Sequence, residues 1–227
     1  PNRFKHGYGL SPEIVKEAKR DKEPDLIITV DNGISSNEGA ELARSLDIDV
    51  IITDHHLPPN ELPNANAIIN PNLRGCDFPS KNLAGVGVCF YLFSSLKTYL
   101  TKQGYFEKNN IQNPDLRTLL DLVALGTVAD VVKLDQNNRI LVNEGIKRIR
   151  EKRCSKGILA ILELTKRPVD SLQASDLGFT VAPRINAAGR LSDISQGIRC
   201  LLSDDMNDAR RYAQTLEEFN IKRRKEQ

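Results

Sequence analysis

Two short runs of β-branched and aliphatic residues, DLIITV at 25–30 and DVIIT at 49–53, constrain the fold more than anything else in this chain. Each has the length of a buried strand, and each ends on a polar cluster: Asp31-Asn32-Gly33 after the first, Asp54-His55-His56 after the second. Between them, Ser35-Ser36-Asn37-Glu38 has capping-box spacing, and Ala40, Leu42, Ala43 and Leu46 follow as one face of an amphipathic helix. A strand–helix–strand order calls for a right-handed crossover between parallel strands. Both strands then finish on the same edge of the sheet, where open α/β sheets hold their ligands. A single crevice is therefore expected to receive both polar clusters.

Downstream, residues 67–70 read as a further strand. Residues 83–103 read as a long helix opening on the small-residue segment AGVGV, and 115–125 as another helix that Gly126-Thr127 breaks. Asp130 interrupts the apolar run 128–134. From there the pattern is helical, over 137–151, 156–165, 175–182, 193–203 and 205–226, with no alternating strand pattern in competition. The expected fold is α/β: a parallel-sheet core with helices on both faces over 1–135, a mainly helical region over 136–204, and the start of a connecting helix over 205–227.

Composition narrows the class. At 40% apolar and 27% charged residues the chain is an ordinary globular protein, and no apolar run nears the ~20 residues that span a bilayer. Cys76, Cys89, Cys154 and Cys200 are widely spaced without a C-x-x-C pair, which argues against a zinc site or disulfide framework and suits a reducing cytoplasm. Residues 1–132 carry 13 Lys and Arg against 17 Asp and Glu, and residues 133–227 carry 19 against 13. An acidic half followed by a basic half fits an anionic ligand held near acidic metal ligands, and solvated helix faces account for most of the same charges. No signal peptide is visible, and the abrupt start suggests a fragment.

Three clusters could carry chemistry. Asp31 opens a turn that Asp-Asn-Gly would make whatever its function. Asp54-His55-His56 at a strand end is harder to explain as a turn, because Pro58-Pro59 already supply one, and imidazole with carboxylate is a common first-row metal donor pair. Asp130, flanked by Val128-Ala129 and Val131-Val132, is either hydrogen-bonded, metal-bound or an N-cap for the segment after it. Two carboxylates, one or two imidazoles and no thiolate favour Mn²⁺ or Mg²⁺ over structural zinc. Two-metal sites of that kind suit phosphoester hydrolysis, but three protein ligands cannot complete two shells, so further carboxylates are required. PRINAAGRL at 183–191 offers Arg184, Asn186 and Arg190 around small residues, suited to a phosphate or to helix packing. Gly85 and Gly87 could let backbone approach a phosphate, although a lone G-x-G is weak.

Taken in order, NRFKHGYGLS (2–11), TVDNGIS (29–35), TDHH (53–56), NPN (70–72), LAGVGV (83–88), ALGTVADVVKL (124–134) and PRINAAGRL (183–191) resemble the DHH phosphoesterase superfamily. Within it, the long GTVADVVKL and RINAAGR forms resemble the RecJ single-strand-specific exonucleases. The resemblance implies that Asp31, His55 and Asp130 coordinate divalent metal, Asp31 bridging two ions of Mn²⁺ or Mg²⁺. It also implies that His56 faces the scissile phosphate, that Asp54 orients its neighbours, and that Arg184, Asn186 and Arg190 lie near the nucleic-acid backbone. It further implies 5′→3′ hydrolysis of single-stranded DNA in repair and recombination, with a single-strand-binding protein as partner. The family's first motif, a D-x-D strand end, would precede residue 1, and its second domain would follow residue 227. The chain by itself is therefore expected to be weak or inactive. Two competing readings are a DHH phosphoesterase for short oligonucleotides or small nucleotides, and a non-catalytic scaffold that binds DNA.

Overall fold

The structure, a computed structural model, describes residues 7–191 and 194–226. The chain divides into two compact units, Pro1–Pro114 and Asp115–Gln227.

In the first unit three parallel strands, β1 (Leu26–Val30), β2 (Asp49–Thr53) and β3 (Ala67–Ile69), lie side by side in chain order. Their register pairs Leu26 with Asp49 and Val30 with Thr53, so β1 and β2 end level with each other. Helix α1 (Pro12–Lys22) is unassigned in the sequence reading, although Ser11-Pro12 is a start signal: the Ser11 hydroxyl accepts from the Ile14 amide and Pro12 takes the first turn. Helix α2 (Asn37–Ser45) forms the crossover, packing on α1 and on β2. Leu10, Val15, Ala43, Ile48, Val50 and Ile52 close the core between them, each large side chain contributing roughly 1.5–3 kcal/mol by leaving water.

The expected capping box does not form. Ser36 stands at the N-cap of α2 without a side-chain bond to the helix, and its hydroxyl accepts from the Leu10 amide at 3.0 Å. The segment before α1 runs across this helix start, and the Leu10 carbonyl fills the space where a Cβ on Gly39 would stand. A long-range amide therefore takes the hydroxyl that the local pattern reserves for the helix. Helix α3 (Gly85–Lys102) packs on β1 and β2, and the short α4 (Tyr105–Lys108) packs on α3.

The second unit is helical among the described residues. A 3₁₀ turn (Leu116–Leu119) leads into α5 (Leu120–Ala129), followed by α6 (Gln136–Arg150) and α7 (Lys156–Leu164). A turn at Ala174–Asp176 and a π-helical turn at Leu177–Val181 then run into α8 (Ala182–Leu191), followed by α9 (Ser195–Leu201) and α10 (Met206–Glu226). Its core gathers Ala124, Ile146, Ile149, Ile158, Leu162, Leu177 and Leu216.

Two expectations fail in this unit. Gly126-Thr127 does not break the helix, since α5 runs through both residues. A glycine inside a helix costs about 1 kcal/mol relative to alanine, and burying Val123, Ala124 and Leu125 while α5 packs on α6 outweighs it. The chain turns instead at Val131, in the left-handed region at φ 59°. PRINAAGRL, which the sequence leaves outside the helices, forms α8.

Candidate metal centre

Because β1 and β2 end level, the residues after them leave the sheet together. The Asp31 amide still donates to the Thr53 carbonyl at 3.0 Å, and the Asp54 amide donates to Ile69 at 3.1 Å, so both carboxylates are placed by the last rungs of the ladder. Asp31 then turns into the left-handed region at φ 67°, a conformation aspartate tolerates better than most residues. Gly33 follows at φ 111°, where an added Cβ would sit 2.6 Å from the Thr29 hydroxyl. The Asp-Asn-Gly turn thus directs the Asp31 side chain over the end of β2.

There Oδ1 of Asp31 and Nε2 of His55 approach to 3.0 Å. Asp31, His55 and His56 each offer a donor atom within 4.8 Å of the others. Oδ1 of Asp31 is closed off from solvent and accepts no well-formed hydrogen bond. Gly85, the first residue of α3, makes the room: a Cβ there would come within 2.5 Å of the Asp31 Cβ and 2.6 Å of its Cγ. A buried acceptor oxygen, two imidazoles converging on it and a cradle open only to glycine suit a divalent cation of the Mn²⁺ or Mg²⁺ kind.

Asp54 does different work. It is 1% exposed and is not among the converging donors. Its Oδ1 accepts from the His55 amide at 2.7 Å and the His56 amide at 3.1 Å, and lies 2.6 Å from Nδ1 of His56; its Oδ2 accepts from the Ile34 amide at 2.9 Å. Burial pushes the Asp54 carboxyl up, but the bonds from Ile34, His56 and His55 outweigh it and leave the group below the ordinary carboxylate range. An ionised Asp54 only accepts, so Nδ1 of His56 carries the proton of that bond and Nε2 is the ring atom left for a ligand. The two imidazoles stack obliquely, with centroids 4.4 Å apart.

Residues of two quoted motifs to which the sequence reading gives no role, Asn70 and Asn72 in NPN and Tyr8 in NRFKHGYGLS, complete the frame. Asn72 donates to the His55 carbonyl at 2.7 Å and Asn70 to the His56 carbonyl at 2.8 Å, while Asn70 Oδ1 accepts from the Asn72 amide at 2.8 Å. The Asn-Pro-Asn after β3 therefore clamps both histidine carbonyls, and its signal was two carboxamides at a strand end. The Tyr8 hydroxyl donates to the Asp31 carbonyl at 2.5 Å, and its ring meets His56 edge-on at 6.2 Å.

The other candidates are spread over both units. Asp130 lies in the second unit, exposed at the C-cap of α5. It does not start the next helix, because Asp135 caps α6 by accepting from the Asn138 amide at 3.0 Å. Arg184 is 7% exposed, ion-paired with Glu217 at 2.5 Å and donating to the Thr180 carbonyl at 2.7 Å, so it braces α8 from within. Its Nε and Nη1 are thus engaged inside the protein, while the contact with the nucleic-acid backbone rests on the family resemblance alone. Asn186 is exposed on α8, and the side chain of Arg190 lies outside the described residues. Gly85 packs on Asp31, and Gly87 on Leu83 of its own segment.

RecJ of Escherichia coli (strain K12), a single-stranded-DNA-specific exonuclease, is 59% identical over 224 residues, which are 99% of this chain and 39% of that protein. The crystal structure of exonuclease RecJ bound to manganese is 34% identical with a TM-score of 0.79, covering 99% of this chain and 53% of that one. RecJ from Thermus thermophilus in complex with Mn²⁺ is 32% identical with a TM-score of 0.76, covering 94% of this chain and 30% of that one. The chain thus spans about two-fifths of the length of the Escherichia coli relative. The DHH family, N-terminal domain, matches residues 2–127, more than half of the sequence. The chain belongs to the DHH family.

Proposed function

We propose that this chain is the catalytic part of a metal-dependent exonuclease that hydrolyses single-stranded DNA from the 5′ end. The observation that carries the reading is the approach of Asp31 Oδ1 and His55 Nε2 over the level ends of two parallel strands, with a DHH turn fixing the second histidine. Support comes from the likeness to RecJ exonucleases, two of them holding manganese. Asp31 and His55 are assigned as ligands to Mn²⁺ or Mg²⁺, and Asp130 keeps the ligand role that the family resemblance gives it. When bound, the divalent metal supplies an activated water and neutralises charge on the phosphate.

The remaining work belongs to the chain's own side chains. Asp54 holds His56 by Nδ1, which leaves Nε2 to bond a non-bridging phosphate oxygen. Asn70 and Asn72 hold the histidine backbone against displacement while the phosphate enters and leaves. In this reading the enzyme acts in DNA repair and recombination in the cytoplasm, with a single-strand-binding protein as partner.

The test uses the full-length protein on 5′-labelled single strands, on duplex and on dinucleotides, with Mn²⁺ and then with excess EDTA. Metal-dependent loss of the single strand from its 5′ end is the expected result. Activity confined to dinucleotides would remove the exonuclease. Asp130→Ala is expected to abolish metal binding and hydrolysis with the fold kept, and unchanged activity would strike Asp130 from the ligand set.

A further inference from the structure

The helical stretch that carries PRINAAGRL has two sides of unlike chemistry. Leu177, Thr180, Val181, Arg184, Ala187 and Ala188 are buried. Phe179 points the other way and is 82% exposed, on the same stretch as the exposed Asn186. A single apolar residue at a surface is ordinary, but three features distinguish this one.

First, Phe179 sits in the middle of the π turn, where the Ala182 amide reaches back to the Leu177 carbonyl and the helix holds one residue more than a regular turn. Second, that turn is braced from inside: the carbonyl of Thr180, the next residue, accepts from Arg184, and Arg184 is ion-paired with Glu217 of α10. The backbone beneath the ring is therefore fixed, and a ligand that stacks on the ring does not have to order it first. Third, Gly178 packs so closely on Val128 that an added Cβ would lie 3.1 Å from its Cγ1. Val128 is two residues before Asp130, so Phe179 emerges beside the last turn of α5. Val131, 87% exposed, follows there at φ 59°.

We infer that Phe179 is a stacking platform for one base of the single strand, with Asn186 on the same side able to bond a base edge; this rests on the nuclease reading above. An exposed ring on a rigid support suits any base, because every base has a π face, and the basic character of the second half favours a polyanion. Arg184 and Glu217 act as positioning residues that keep the π turn from relaxing.

The experiment uses full-length protein in EDTA, so that no strand is cut, with binding followed by anisotropy and stacking by quenching of 2-aminopurine placed at successive positions. Phe179→Ala is expected to weaken binding about tenfold, with Phe179→Trp restoring it. One 2-aminopurine position should lose its quenching in Phe179→Ala, and an abasic site there should erase the difference between wild type and variant. Equal affinity of wild type and Phe179→Ala on intact strands overturns the platform alone. So does an equal loss on intact and abasic strands with a lowered melting temperature, which would mean that protein covers the ring. Failure of the wild type to bind or degrade single strands overturns both the platform and the nuclease reading.

Discussion

Gly85→Ala should disable the metal centre without unfolding the protein. The added methyl would stand 2.5 Å from the Asp31 Cβ and 2.6 Å from its Cγ, where carbon atoms at rest prefer about 3.5–4.0 Å. Relief needs a shift of roughly 1 Å by one partner. Gly85 opens α3, which is packed on β1 and β2, while Asp31 is a short side chain on a left-handed backbone at the end of β1. The carboxylate therefore moves. Metal–ligand distances tolerate about ±0.2 Å, so that shift amounts to loss of a ligand. Mn²⁺ affinity should fall ten- to a hundredfold or more, the order seen when the support of a ligand is removed. Stability should fall by about 1–3 kcal/mol, the usual range for overpacking, less the fraction of a kcal/mol that alanine gains in a helix. Mn²⁺ titration followed by electron paramagnetic resonance measures the first quantity, and urea unfolding in EDTA measures the second. Gly87→Ala is the control, since its Cβ would meet only the Leu83 side chain, 3.1 Å away at Cδ2, and should leave metal affinity alone. Wild-type Mn²⁺ affinity in Gly85→Ala would refute the reasoning.

Asp54→Asn removes an acceptor from a buried cluster of four contacts and should cost about 2 kcal/mol or more in urea unfolding. The folded Asp54 carboxyl lies below its ordinary value of 3.8, so its contribution is complete above that value and is lost as pH falls through the folded one. The stability curve of Asp54→Asn should accordingly be flatter than that of wild type below about pH 4, and parallel curves would contradict the assignment. Glu217→Gln leaves the Arg184 charge buried beside a neutral amide and should destabilise the second unit by about 3 kcal/mol, read by urea unfolding. Burial, with Asp121 nearby, pushes the Cys154 thiol up to about 12, and burial pushes Cys200 up to about 11. Neither should react with a disulfide reagent at about pH 8 until the protein is unfolded in urea, and prompt labelling of either in the folded state would be the contrary result.

Much of the centre was legible before any coordinates. Two apolar runs of strand length with a helix between them leave little choice but parallel strands, and parallel strands end on one edge. The approach of Asp31 and His55 follows from that geometry, together with a turn that only a small set of residues can make. The part of Asp54 in orienting its neighbours, drawn from the family resemblance, has a concrete form in four hydrogen bonds. These inferences use information local to the chain: period, strand length and turn chemistry.

What the sequence could not decide by itself was which distant group each polar or small residue would meet. Ser36 has the spacing of a cap, yet Leu10 takes its hydroxyl. Gly85 could have opened a path for a phosphate, and instead it makes room for an aspartate far away in the chain. Arg184 lies in a motif rich in cations and small residues, and only its burial against Glu217 and Thr180 shows that it faces inward while Phe179 faces outward. Gly126 would end an isolated helix, but packing on α6 carries α5 through it. Backbone periodicity is set by neighbours in sequence and can be read there. The partner of a hydroxyl, a guanidinium or a missing Cβ is set by which surfaces come into contact, and only the folded chain decides that.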